Sequence, residues 1–74
     1  MNCYNRLLSI NRLATRYLMF RDHLTTAVDK LSLASPQTAP MAYQQVLHEI
    51  KEIEKTVELM AQVVATRERE TEME

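Results

Sequence analysis

With 74 residues, nine basic and ten acidic side chains and a net charge of −1, the chain has room for one small domain and no bulk charge that points to nucleic acid. It contains no glycine, which excludes phosphate-cradling loops, dinucleotide fingerprints and nucleophile elbows, since each needs backbone that glycine supplies. The single cysteine, Cys3, excludes an internal disulfide framework and is read as a reduced thiol, so a domain this small is expected to draw its stability from another subunit.

The first element in chain order is a helix over about residues 5–34. Ile10, Leu13, Tyr17, Phe20, Leu24, Ala27 or Val28, and Leu31 recur at alternating steps of three and four, which lines them along one helix face. The segment Ser9–Asn11 leaves open whether this helix is one piece or two. "YLMF" (17–20) is the longest purely apolar run in it and arginines bracket it, so no membrane span is expected. The N-terminal stretch also lacks the apolar core of a signal peptide, and a cytoplasmic protein is expected.

Ser35 before Pro36 marks the end of the first helix, because a residue preceding proline is pushed out of helical geometry. Pro40 suits the first turn of a second helix, where its missing N–H costs nothing. The second stripe consists of Tyr43, Val46, Ile50, Ile53, Val57, Met60 and Val64. After Ala65 the pattern stops and "TRERETEME" is charged throughout. The expectation is an all-α antiparallel hairpin over residues 1–66, followed by a charged, frayed tail over 67–74.

Within that hairpin Leu24, Val28 and Leu31 are expected to pack against Tyr43, Val46, Ile50 and Ile53, with Val57 continuing the core. Residues 1–35 carry five basic and two acidic side chains (+3) and residues 36–74 four basic and eight acidic (−4), which favours the two halves lying side by side. Two helices cover only one face of each other, yet Leu7, Leu8, Leu18, Met19 and Leu33 lie off the first stripe and Leu47, Leu59 and Val63 off the second. Each large apolar side chain gains about 1.5–3 kcal/mol on full burial, so the leftovers favour recruiting another surface. Leu18, Met19, Leu47, Leu59 and Val63 are the residues expected to form it.

Chemistry-bearing residues are sparse. Cys3, His23, His48 and Glu49 are the candidate metal ligands, but His48 and Glu49 are adjacent and point about 100° apart on a helix, with no second histidine four residues on. Glu49, Glu52, Glu54 and Glu58 alternate with Lys51 and Lys55 and read as a solvated charge lattice beside the stripe, not as paired catalytic acids. No cofactor and no enzymatic activity are expected. Arg6, Arg12 and Arg16 are the best candidates for gripping phosphate, and a self-associating bundle that binds nucleic acid or a small anionic ligand through Arg12 and Arg16, as in a phage or plasmid regulator, is the alternative reading.

"LTTAVDKL" (24–31), a turn of about a dozen residues, and "AYQQVLHEIKEIEKTVELMAQVV" (42–64) resemble the small E-type needle co-chaperones of type III secretion. The likeness lies in Leu24, Ala27, Val28, Lys30 and Leu31, in Tyr43–Gln44 at the start of the second helix, and in Ile53–Glu54 followed by Val57, Leu59, Met60 and Val63. The turn departs from the pattern in using proline where relatives often carry glycine. What the resemblance implies is a helical hairpin that binds and stabilises a tetratricopeptide-type chaperone and, with it, keeps the needle subunit unpolymerised in the cytoplasm before export. Apart from the resemblance, the leftover apolar surface leaves a homodimer open when that partner is absent.

Overall fold

The computed structural model describes the backbone of residues 2–73 and the side chains of residues 9–66. Cys3, Arg6, Leu7 and Leu8, and the side chains of the charged segment 67–74, therefore lie outside the described side chains. Two helices, α1 (Asn2–Ser32) and α2 (Ala39–Met73), make up the fold, with no strand among the described residues. They form an antiparallel hairpin: Arg16 of α1 meets Thr56 of α2, while His23, about two turns further along α1, faces Glu49, about two turns back along α2. The first helix runs unbroken through Ser9–Asn11. The backbone of α2 stays helical through Met73, beyond the end of the apolar stripe.

The corner differs from its sequence reading in its first half. α1 ends at Ser32, short of the residue before Pro36. Its last bonds tighten: the Leu33 N–H is shared between the Asp29 and Lys30 carbonyls at 3.2 and 3.3 Å, and the Ala34 N–H reaches the Leu31 carbonyl at 3.2 Å. No described residue has positive φ, so the helix stops without a left-handed cap. Pro40 lies in the first turn of α2, as its missing N–H allows, and a turn at 36–38 leads into it. Ser35 caps that turn: its Oγ accepts from the Thr38 N–H at 3.3 Å while the Thr38 Oγ1 accepts from the Ser35 N–H at 3.0 Å, a reciprocal capping box with threonine in the place of glutamate. The Ala39 N–H already bonds the Ser35 carbonyl at 2.8 Å with helical spacing, but Pro40 has no N–H to give the Pro36 carbonyl. That one missing bond separates the turn at 36–38 from the start of α2 at Ala39.

The molecule is long and thin, its Cα atoms spanning 59 × 16 × 11 Å. This is a single layer of helix, where a domain with its own core ordinarily has two. Among the described apolar side chains only Ala27 (3% exposed) and Val46 (8%) are fully buried.

Candidate functional site

The seven-residue recurrence of burial shows which column of each helix faces the other. On α1, Leu13, Phe20 and Ala27 form one such column, with Ala34 just past the helix end, and Ile10, Tyr17, Leu24 and Leu31 its neighbour; all are at least half-buried, so α1 turns its apolar stripe to the interface. On α2 the columns facing α1 are Ala39, Val46, Ile53 and Met60, and Ala42, Glu49, Thr56 and Val63. The second is partly polar. Thr56 is wholly buried and Glu49 only 5% exposed. α2 is thus rotated by about one column, about 50°, from the setting its apolar stripe calls for.

That rotation corrects the expected core. Val46 is buried, and Leu24, Leu31, Ile50 and Ile53 are half-buried, but Val28, Tyr43 and Val57 are 46–51% exposed, and Val64 with them. Glu49, expected on the solvated side, is instead in the interface. The physical reason lies in α1's polar residues beside its stripe. Arg16 donates from Nε to Thr56 Oγ1 at 3.1 Å and from Nη2 to Glu52 Oε2 at 3.0 Å, with its guanidinium carbon 5.3 Å from the centre of the Phe20 ring. Thr56 in turn donates to the Glu52 carbonyl at 2.8 Å. His23 sits edge-on to Phe20 and brings Nδ1 to 3.7 Å from Glu49 Oε1, in ion-pair range but too far for a hydrogen bond. These contacts draw the polar column of α2 inward.

Sequence reasoning missed this polar seam. Its signal was present, because Arg16 and His23 are seven apart on α1, as Glu49 and Thr56 are on α2. Glu52 is its best-satisfied acid: the Lys55 ammonium at 3.3 Å, together with Arg16, holds its carboxyl below the ordinary value of 4.5. Glu49 is its least satisfied. Gln45 Nε2 donates to Oε2, but Oε1 is buried without a hydrogen bond.

The hairpin consequently has two unlike flanks. One is polar, bordered by Arg16, Lys55 and Glu58, and widens toward the open end into a groove of about 440 Å³ lined by Ser9, Arg12, Leu13, Leu59, Gln62 and Val63 among others. The other is apolar along its whole length. It presents Ile10, Tyr17, Leu24 and Leu31 of α1 beside Tyr43, Ile50, Val57 and Val64 of α2, with Val28 and Leu47 at its borders.

The residues expected to form a partner surface do not share one face. Leu18 and Met19 are exposed on the back of α1, Leu47 is half-buried beside the apolar flank, and Leu59 (exposed) and Val63 (half-buried) line the groove on the polar flank. Nor do Arg12 and Arg16 form an open pair: Arg16 is engaged by Glu52 and Thr56, and only Arg12 faces the groove. No three His, Cys, Asp or Glu side chains converge among the described residues. Among those residues no helix is long and apolar enough to cross a membrane. No family model, curated protein or solved structure gives a significant match to this chain.

Proposed function

We propose that this chain is a small helical adaptor that acts as a subunit of a heteromer, stabilising a protein partner and being stabilised by it. The observation that carries the reading is the setting of α2, which buries Glu49 and Thr56 while leaving Tyr43, Val57 and Val64 half exposed along one continuous apolar flank. A partner that binds only the folded hairpin raises its stability by mass action, and the linkage is reciprocal. The resemblance to the E-type co-chaperones supplies the partner's class: a tetratricopeptide-type secretion chaperone, with the needle subunit as their shared client in the cytoplasm. The commitment of Arg16 to Glu52 and Thr56 speaks against the anion-binding alternative, which needs Arg12 and Arg16 together.

The test is purification of the tagged chain from its native host. A helical-repeat chaperone that co-purifies in fixed stoichiometry, and whose melting temperature falls when it is prepared alone, is the expected result. Recovery of RNA or DNA that raised salt removes would instead favour the phosphate-binding reading.

A further inference from the structure

The apolar flank has the dimensions of a protein interface, and charged residues stand on both of its borders. From Ile10 to Leu31 it is about 33 Å long and two helices, about 20 Å, wide. Its projected area of roughly 660 Å² is within the ~600–1,000 Å² per partner that stable protein interfaces bury. α1 carries five basic and two acidic residues (+3), and α2 four basic and seven acidic (−3). A two-fold axis that presses two such flanks together has two settings. Running along the helices, it lays α1 on α2 of the other copy, so every neighbouring pair in the bundle is antiparallel and opposite in charge; running across them, it lays α1 on α1 and α2 on α2.

The borders of the flank make the same choice. Arg21 stands between Ala14 and Val28 on the α1 border, and Glu54 between Leu47 and Ala61 on the α2 border, within about one turn of the same level. Both are exposed, and neither is in an ion pair among the described residues. The lengthwise axis sets Arg21 of one copy against Glu54 of the other. The crosswise axis brings like charges together.

We propose that a second copy of this chain covers the apolar flank, forming a two-fold four-helix bundle with both turns at the same end. The inference rests on the flank being a docking surface, as the adaptor reading also holds; the second copy occupies it when the foreign partner is absent.

Light scattering on the purified full chain from low to high micromolar concentration is expected to give twice the chain mass. Val57→Asp is expected to give a monomer, and Thr15→Asp, on the back of α1, to leave the dimer intact. Because Val57→Asp also risks unfolding, the border charges give an independent reading. Arg21→Glu and Glu54→Arg are each expected to weaken the dimer about fivefold, and the double variant to restore it. Spin labels on Gln37→Cys, in a Cys3→Ser background, are expected to lie within one bundle width of each other. A separation near the helix length of about 46 Å overturns the arrangement. A chain that is monomeric throughout, or a dimer untouched by Val57→Asp and by the single charge reversals, overturns the proposal. Loss of tetratricopeptide-chaperone capture with the dimer intact overturns only the adaptor reading.

Discussion

Glu49 and Thr56 occupy positions that a hairpin of this length would ordinarily fill with leucine. Thr56 is fully satisfied, between the Arg16 guanidinium and the Glu52 carbonyl, and its burial costs little. Glu49 differs, since a buried carboxylate oxygen without a hydrogen bond retains most of its desolvation penalty. Glu49→Leu is therefore expected to stabilise the hairpin by about 1–2 kcal/mol, read as a rise in melting temperature, with Gln45 free to turn to water. Glu52 behaves in the opposite sense. Its carboxyl titrates below the ordinary value because Lys55, and Arg16 beyond it, favour the ionised form, so its contribution is present above that value and is lost as pH falls through the lowered one. Glu52→Gln is expected to be less stable than the parent near neutral pH, and the two melting curves to converge in acid.

At the scale of the element, the helices follow from stripe spacing, but their ends are set by local hydrogen bonds. Ser35 and Thr38 satisfy each other's N–H groups at the start of the turn, and Ser35→Ala removes the Oγ that accepts from Thr38. The loss is expected to be about 1 kcal/mol in denaturant titration, and restored by Ser35→Asp, another good capping residue. Proline was legible here both as a breaker after Ser35 and, at Pro40, as a first-turn residue of α2, but the turn at 36–38 between them was not. The Ser35–Thr38 pair, three residues apart, closes that turn around Pro36 and leads into α2 with Pro40 in its first turn.

At the scale of the whole molecule, a layer one helix thick leaves the hairpin with Ala27 and Val46 as its only fully buried apolar side chains among those described. A fold with so small a core is expected to take its stability from association. The melting temperature of the purified chain should then rise with protein concentration, and the Val57→Asp monomer should melt lower without that dependence, as calorimetry across a dilution series would show. A flat dependence in the parent would mean that the hairpin is stable by itself and the flank is not an interface.

Periodicity and composition by themselves determined that this chain is two amphipathic helices joined by a proline-bearing corner, because stripe spacing and the φ restriction of proline are local properties of the chain. The same stripes named Leu24, Val46, Ile50 and Ile53 among residues that lose exposure, but they also named Val28, Tyr43 and Val57, which stay half exposed. Only the tertiary structure decided how far each helix turns about its own axis. That rotation depends on Arg16 and His23 of one helix finding Glu52, Thr56 and Glu49 of the other; the seven-residue spacing within each helix is local, but the match between the two helices is not.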